Sequence, residues 1–264
     1  MNRLLTPEAR ESLLAAWHRE NGLSGNALKI IACIFMFFDH LSQGVALNSL
    51  GFTPTYIAND WGIPILSGLP TAELLAMVAT MAGRIAFPIF CFFLVQGVLL
   101  SGDFKKQIQR LLLFAILSEV PFDLGLFGQV FYWDHQNVFF ELALGAATIV
   151  AMKKILDGDS KWKRLVAPCI FIVTALLAEF LRFDYGASGI IAMVLFYLVC
   201  NDRRRTMLMG LVGFLFEAPL YGTVYLSLPL IYQYNGKRGR GGRWFFYIFY
   251  PAHLLVLYLL SLWI

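Results

Sequence analysis

Charged residues are scarce in this chain of 264 residues: 14% are Asp, Glu, Lys or Arg, whereas 59% are hydrophobic. A water-soluble domain needs more polar surface, so the composition excludes an ordinary soluble protein. Cysteine is also sparse. The four cysteines show no CxxC spacing, which argues against a disulfide framework and a zinc knuckle. The sequence lacks an HExxH pair as well, and we expect no metal ion.

Long apolar runs take the place of the missing charge. A bilayer core about 30 Å thick is crossed by roughly 20 helical residues, and about nine runs approach that length. The Leu, Phe, Ala and Met content favours helices over the alternating pattern of a membrane barrel. We therefore predict an all-α, polytopic integral membrane bundle of about nine transmembrane helices. The approximate spans are 28–47, 84–100, 111–127, 137–152, 165–182, 186–200, 206–221, 222–235 and 244–264.

The positions of the basic residues predict an orientation for this bundle. Every Lys and Arg except Arg84 and Arg182 lies near the start of the first span or in an alternate connection. Because positive charge marks cytoplasmic loops, we predict a cytoplasmic N-terminus and an external loop at 48–70. The same rule explains the net charge of +4, so no nucleic-acid partner is expected.

The polar start of the chain predicts a separate element before the first span. Pro7 suits the first position of a helix, and Leu13 and Trp17 follow at helical spacing. We predict a cytoplasmic amphipathic helix within residues 1–26, lying on the inner membrane surface, and a single transmembrane domain at 27–264. The first 26 residues show no apolar signal-peptide core, so we expect the first span to be retained.

Two histidines stand in otherwise apolar runs. An ionisable side chain at the centre of a spanning helix costs about 2.5 to 3.5 kcal/mol, so it normally faces a partner or a water-filled cavity. His40 and His253 fall at similar predicted depths, which suggests a shared cavity; a satisfied interhelical hydrogen bond is the alternative. Asp39 is poorly placed to orient His40, because neighbours on a helix point about 100° apart. Tyr250 lies one turn before His253.

Further polar residues occur towards the predicted outer ends of the helices. Glu119 and Asp123 are four residues apart and share a helix face, and Arg84 is a candidate partner for them. A structural ion pair between Asp123 and Arg84 is the plainer alternative. Asn137 is predicted to cap the following helix, where Glu141 is either a capping or a substrate-binding group.

A glycine-rich basic segment, "NGKRGRGGRW", precedes the last span. Its cationic side chains and flexible backbone suit phosphate binding. The alternative is an ordinary cytoplasmic anchor of positive charge. The four cations are Lys237, Arg238, Arg240 and Arg243.

Six stretches taken together resemble one family. They are "LKIIACIFMFFDH", "GRIAFPIFCFFLVQG", "RLLLFAILSEVPFDL", "QNVFFELALG", "DYGASGIIAMVLFYL" and "FYIFYPAHLLVLYLL", which follow one another over most of the chain. In this combination they resemble the TraX-type membrane proteins, named for the enzyme that acetylates the N-terminus of conjugative pilin. The resemblance implies a multi-pass enzyme of the bacterial inner (plasma) membrane that takes acetyl groups from cytoplasmic acetyl-CoA.

The resemblance also implies roles for the polar residues. His40 becomes the first candidate for the general base, with Asp39 and His253 as the other catalytic candidates, while Asn137, Tyr250 or His253 would polarise the thioester carbonyl. The acceptor would be an amine or hydroxyl presented from the outer side: a small molecule, a sugar or a peptide N-terminus. The substrate-binding candidates are Arg84, Glu119, Asp123, Asn137, Glu141 and Tyr250. The candidates for the phosphates of acetyl-CoA are Lys237, Arg238, Arg240 and Arg243.

Two other classes of protein remain open from the residues alone. In a proton- or cation-coupled transporter, the same buried carboxylates and histidines would relay protons or bind a cation. Broken helices in two inverted halves would favour that class, and the sequence shows no such repeat. In an assembly factor surrounded by membrane lipid, the buried charges would only hold helices together.

Overall fold

The structure, a computed structural model, is helical throughout the part that it describes. Its elements there are helices and turns, and two isolated bridges join Leu23 to Tyr234 and Gln136 to Phe183 without forming a strand. The predicted all-α class is therefore confirmed. The predicted external loop at 48–70 lies outside the described residues, which are 4–47, 71–159, 161–215 and 222–263.

The helices follow one another with short connections. A π-helical segment, Leu41–Leu47, continues the second helix, and a 3₁₀ turn, Gly222–Leu226, precedes the tenth. In chain order the helices are α1 Pro7–Trp17, α2 Gly25–His40, α3 Thr71–Gly83, α4 Ala86–Leu100, α5 Phe104–Phe127, α6 Val138–Asp157, α7 Lys163–Phe180, α8 Gly186–Leu198, α9 Arg203–Gly213, α10 Ser227–Tyr232 and α11 Arg243–Ser261.

Most predicted spans coincide with a helix, and one needs correction. The span predicted at 84–100 matches α4, Ala86–Leu100, and a turn at Arg84 separates it from α3 within the longer apolar stretch Glu73–Leu100. The span predicted at 222–235 is shorter, because its last residues leave the helix to pair with the backbone beside α2. There Leu23 N–H donates to the carbonyl of Gln233, and Asn235 N–H donates to the carbonyl of Leu23.

The apolar outer surface identifies a membrane protein. On α2, Ile30, Ile34 and Phe38 recur every fourth residue and are about half exposed, as expected of a face that packs against lipid. In the described residues, three helical stretches are long and apolar enough to cross a bilayer. They are Gly25–Val45, Glu73–Leu100 and Trp244–Ser261. The total of nine spans and the cytoplasmic N-terminus stay predictions.

Two glycines bring three backbones together, just after the end of α2 and near the end of α5. A Cβ on Gly44, in the π-helical segment, would overlap the carbonyl of Gly125 in α5, and a Cβ on Gly125 would lie 3.0 Å from the carbonyl of Leu254 in α11. Such close contact is typical of glycine at membrane helix interfaces. It fixes the end of α2 against α11, and so places His40 beside His253.

The first helix packs against the rest of the bundle. Leu13 and Trp17 of α1 are buried, and Trp17 Nε1 donates to the carbonyl of Cys200 at 2.7 Å. Arg203, at the start of α9, donates to the carbonyl of Trp17 at 2.9 Å and lies over its ring. The predicted helix within residues 1–26 is therefore present. Its contact with the membrane surface stays a prediction.

Candidate functional site

A cavity of about 550 Å³ lies inside the bundle, between α2, α4, α5, α6 and α11. This volume is in the range of pockets that bind small molecules, roughly 300 to 1,000 Å³. Both polar and aromatic side chains line it. The polar ones are Asn26, Lys29, Asp39, His40, Gln43, Arg84, Gln107, Arg110, His135, Asp184, Tyr185, Arg238, Tyr247 and Tyr250.

The two membrane histidines meet at the side of this cavity. Nδ1 of His40 and Nε2 of His253 are 2.7 Å apart, and both side chains are buried. The ring planes differ by 9° while the centroids are 5.0 Å apart. Since the centroid separation exceeds the nitrogen separation by about two ring radii, the imidazoles lie nearly edge to edge, which is the geometry of a hydrogen bond in the ring plane.

The partners of His253 determine where the protons lie in this pair. Nδ1 of His253 is 2.8 Å from the carbonyl oxygen of Phe249, and a carbonyl can only accept, so Nδ1 carries the proton. Nε2 of a neutral His253 then accepts the bond from Nδ1–H of His40. A neutral His40 is left with an unprotonated Nε2. Because His40 lines the cavity and His253 does not, the basic lone pair belongs to His40.

Tyr250 supplies a hydrogen-bond donor on a ring beside that of His40. Its ring is 5.9 Å from the His40 ring, nearly perpendicular to it, and lines the same cavity. The Tyr250 hydroxyl is buried, and its O–H donates to no acceptor among the described residues. A buried donor without a partner suits a ligand oxygen, since an unmet hydrogen bond is unfavourable.

Asp39 has partners of its own, away from the histidine pair. Gln43, one turn later, donates from Nε2 to Oδ1 of Asp39 at 2.6 Å. Gly83 packs on the Asp39 carboxyl so closely that a Cβ there would overlap it, and the charge of Arg84 attracts the carboxylate. Asp39 is therefore an acidic group of the cavity lining, and His253 rather than Asp39 orients His40.

The polar lining differs between the two ends of the cavity. The basic end, defined by Lys29, Arg110 and Arg238, lies where α2, α5 and α11 begin. The opposite end, defined by Arg84, His135, Asp184 and Tyr185, lies where α4 and α8 begin and α5 finishes. His40 stands between them, eleven residues after Lys29 on α2, or about 16 Å along the helix.

Four predicted substrate-binding residues form a set of their own, Glu119, Asp123, Asn137 and Glu141, which we call the wall set. All are at least partly buried, and in the described structure they lie outside the cavity lining. Asn137 caps α6 through Phe139 N–H at 3.0 Å, and its Nδ2 donates to Glu119 and to the carbonyl of Ala115. The amide of Asn137 therefore bonds within the protein, where it caps α6 and joins it to α5, and it is not directed at a ligand.

The other two members of the wall set also bind backbone groups. Glu141 accepts from Tyr185 N–H at 2.8 Å, which ties α6 to the start of α8. Asp123 accepts from Tyr132 N–H at 2.9 Å, which anchors the connection between α5 and α6. Of the predicted substrate-binding residues, the structure thus brings Arg84 and Tyr250 to the cavity with His40 and Asp39.

The predicted phosphate-binding segment contributes one side chain to the cavity, Arg238, among those described. The Arg243 side chain lies outside the described residues. Lys237 and Arg240 do not line the cavity, and the backbone carbonyls of the segment accept from α2. Asn26 Nδ2 donates to the carbonyl of Arg240 at 2.8 Å, and Asn26 N–H donates to that of Arg238 at 2.8 Å.

Several lining residues were not predicted from the sequence. The sequence marks Lys29 and Arg110 only as cytoplasmic charge, although both lie in the first turns of helices that frame the cavity. At the opposite end, Nε2 of His135 is 2.9 Å from Oδ1 of Asp184. Burial lowers the pKa of His135, but the hydrogen bond and the charge of Asp184 outweigh it, and the pKa is raised overall. The two residues are 49 positions apart in the sequence, so no local pattern predicts their contact.

Comparisons with known proteins agree on one family. The model of the TraX protein family matches residues 24–261. A probable fimbrial assembly protein, FimC of serogroup H1 from Dichelobacter nodosus, is 30% identical over 202 residues, which are 66% of this chain and 79% of that protein. No solved structure matches the chain. The match covers every helix from α2 to α11, and the chain belongs to the TraX family.

Proposed function

We propose that the protein is a membrane-embedded acetyltransferase that moves an acetyl group from acetyl-CoA to an amine, or a hydroxyl, with His40 as the general base. One observation carries this proposal. The bonds from Phe249 to His253 and from His253 to His40 leave the Nε2 lone pair of His40 at a cavity of about 550 Å³. Membership of the TraX family supports the acetyl donor.

The reaction proceeds by attack of a neutral amine on the thioester carbonyl. As the new carbon–nitrogen bond forms, Nε2 of His40 takes the proton of the attacking nitrogen. The resulting imidazolium then gives this proton to the sulfur as the carbon–sulfur bond breaks. The acetylated amine and the free thiol are the products, and His40 returns to its neutral form.

Tyr250 is the best placed group to stabilise the oxyanion of this step. Its hydroxyl is a donor without a protein partner in the described structure, beside the His40 ring. Asn137 was an alternative for this role, but both ends of its amide are engaged with the protein. His253 is engaged as well, so we assign it to positioning: it holds the tautomer of His40 and accepts from the imidazolium that forms.

The acceptor is assigned to the opposite end of the cavity. Asp39 and Asp184 are the carboxylates that line the cavity, and they suit a cationic amine before it loses its proton. The relative from Dichelobacter nodosus is named a fimbrial assembly protein, and we extend this to a peptide N-terminus as the acceptor amine. A sugar or small-molecule amine has the same chemistry at its nitrogen.

The positive-inside rule supports an orientation for the two substrates. With the basic end facing the cytoplasm of a bacterium, acetyl-CoA enters there and the acceptor enters from the outer side of the inner membrane. The nucleophile and the thioester then meet at His40 from opposite directions.

Reconstituted vesicles test the proposal. The purified protein is inserted into the vesicle membrane in both orientations, and labelled acetyl-CoA is enclosed. Peptides, amino sugars and small amines are offered outside. We expect label to appear on an external amine with wild-type protein, and the rate to fall about 10³-fold in His40→Gln. His18→Gln changes an exposed histidine on the same chain and serves as the matched control.

The outcome that removes the assignment is undiminished transfer by folded His40→Gln protein. A transporter makes a different prediction in the same vesicles: a pH gradient would dissipate through wild-type protein, no acceptor would be labelled, and His40→Gln would slow the proton flux. That result would overturn acetyl transfer.

A further inference from the structure

We propose that Lys29, Arg110 and Arg238 form a phosphate-binding site for the acyl donor at the basic end of the cavity. This inference rests on the proposed function for the identity of the donor. The sequence assigned phosphate binding to the glycine-rich segment alone. The proposed site keeps Arg238 of that segment and adds Lys29 of α2 and Arg110 of α5, which had no assigned role in binding.

The three cations share one end of the cavity without an acidic neighbour in its lining. Lys29 is in the first turns of α2, Arg110 is in the second turn of α5, and Arg238 precedes α11. The carboxylates that line the described cavity are Asp39 and Asp184, and Asp39 is ten residues from Lys29, or about 15 Å along α2. Lys29 and Arg238 also repel one another. Such a cluster favours a bound anion.

Each cation is held so that its charge is available. Nζ of Lys29 is 4.9 Å from the Phe93 ring centroid and 5.4 Å from that of Phe246, and it forms no ion pair with a described carboxylate. Nε of Arg110 is buried and has no hydrogen-bond partner in the described part of the chain. The face of an aromatic ring attracts an ammonium group, but the N–H groups of the ammonium remain available to donate hydrogen bonds to a phosphate.

Arg238 is fixed by the start of α2. Its carbonyl accepts from Asn26 N–H at 2.8 Å, and the preceding carbonyl, of Lys237, accepts from Gly25 N–H at 2.9 Å. These bonds hold the backbone of the loop against α2 while the Arg238 side chain lines the cavity. Lys237 and Arg240 lie on the same loop but outside the cavity lining, which separates the proposed site from the loop as a whole.

The chemistry of the cluster matches a phosphorylated donor. Guanidinium groups bind phosphate oxygens in pairs, and an ammonium adds a compact charge. Coenzyme A carries a diphosphate and a 3′-phosphate at one end of a long, narrow arm, with the thioester at the other end. From Lys29 to His40 the helix rises about 16 Å. Apolar side chains such as Met36, Phe93 and Leu94 line the cavity and suit that arm.

Binding measurements on the full-length protein in detergent test the site without requiring turnover. Coenzyme A and pantetheine, which lacks the nucleotide phosphates, are titrated by calorimetry into wild-type protein and variants. We expect Lys29→Gln, Arg110→Gln and Arg238→Gln each to raise the Kd for coenzyme A about 10-fold. Their affinity for pantetheine should stay at the wild-type value, which also shows that the cavity is folded. Inorganic pyrophosphate should compete with coenzyme A, but not with pantetheine, on wild-type protein.

The matched control is the double variant Lys237→Gln, Arg240→Gln, which removes two cations of the neighbouring loop. We expect its Kd for coenzyme A to remain close to that of wild type. The proposal is overturned if this control weakens binding as much as the lining variants do, or if the lining variants bind coenzyme A normally. Because these readouts are independent of acetyl transfer, normal phosphate binding in a protein that labels no acceptor would leave this site standing and remove the proposed reaction.

Discussion

The cavity and the wall set place buried polar groups in the same bundle but use them differently. In the wall set, Asn137 bonds to Ala115 and Glu119 of α5 and to Phe139 N–H of α6, and Glu141 accepts from Tyr185 N–H. At the cavity, His40 and Tyr250 are oriented by neighbouring rings, yet each keeps a nitrogen or oxygen that the described protein does not engage. Burial is similar in both regions, and Asp123 of the wall set also keeps one carboxylate oxygen without a hydrogen-bond partner among the described residues. What differs is that the unmet groups of His40 and Tyr250 belong to residues that line the cavity, whereas Asp123 lies outside its lining.

This difference explains why buried charge alone is a weak sign of a site in a membrane protein. A buried carboxylate or amide is stable when it closes the end of a helix, since the first N–H groups of every helix need acceptors. Substrate binding needs a group that both lacks a partner in the protein and lines a cavity that a ligand can enter. Substitutions in the two regions should therefore affect different quantities: turnover at the cavity and stability in the wall set.

The largest effect that sharpens this contrast is expected at His253. His253→Ala removes the acceptor that holds Nδ1–H of His40, so His40 can present either nitrogen to the cavity. We expect kcat for acetyl transfer to fall about 100-fold, equivalent to about 2.7 kcal/mol in the barrier, with little change in KM. Steady-state kinetics in vesicles over a range of pH values measure this change.

The conservative variant His253→Gln separates positioning from packing. Its amide offers an acceptor to His40 and a donor to the Phe249 carbonyl, so it should recover a large part of kcat and the wild-type pH profile. A Gln variant no more active than the Ala variant, with both folded, would mean that His253 fills space and does not set the tautomer.

The next effect is in the wall set. Asn137→Ala removes the cap of α6 and the partner of the partly buried Glu119 carboxylate, and should lower the free energy of unfolding by about 2 kcal/mol. Specific activity per folded molecule should be retained. Unfolding in denaturant, followed by circular dichroism, measures stability. A variant of normal stability that has lost transfer would place Asn137 in the reaction and break the contrast between the regions.

A smaller effect is expected at Gly83, which packs against Asp39 of the cavity lining. Gly83→Ala adds a methyl group that overlaps the Asp39 carboxyl, and we expect a loss of about 1 to 2 kcal/mol of stability together with weaker acceptor binding. The matched control is Gly102→Ala, whose Cβ has no neighbour within 4 Å. Thermal melting of both variants and the acceptor KM distinguish them; equal behaviour would show that Asp39 moves aside without consequence.

The helices were predictable from the sequence because lipid forces the backbone to satisfy its own hydrogen bonds. The start of the span predicted at 84–100 also falls at the turn between α3 and α4. The shortening of the span predicted at 222–235 was not predictable. Its last residues pair with Leu23, more than 200 positions away along the chain.

The depth of the site residues along their helices was predictable from the sequence, but the direction in which each side chain points was not. Linear position was enough to set His40 and His253 at similar levels, and the structure brings their rings together. Which way a side chain points depends on the rotation of its helix, which packing decides. For that reason Lys29 and Arg110 resembled ordinary anchors of charge although they line the cavity, while Glu141 resembled a ligand although it binds the backbone of Tyr185.

The smallest effect concerns the opposite end of the cavity, where His135 pairs with Asp184. Because the pKa of His135 is raised in the folded protein, the pair stabilises the fold fully below the unfolded pKa of about 6.5 and loses this contribution as the pH rises through the folded pKa. About a third of the His135 side chain is exposed, so solvent screening keeps the contribution below about 1 kcal/mol. We expect the melting temperature of wild-type protein to exceed that of His135→Gln at pH 5.5, and the gap to close towards pH 8.5. A gap that is independent of pH would mean that His135 contributes by packing on Phe122 and Phe127, and that its charge is not needed at this end.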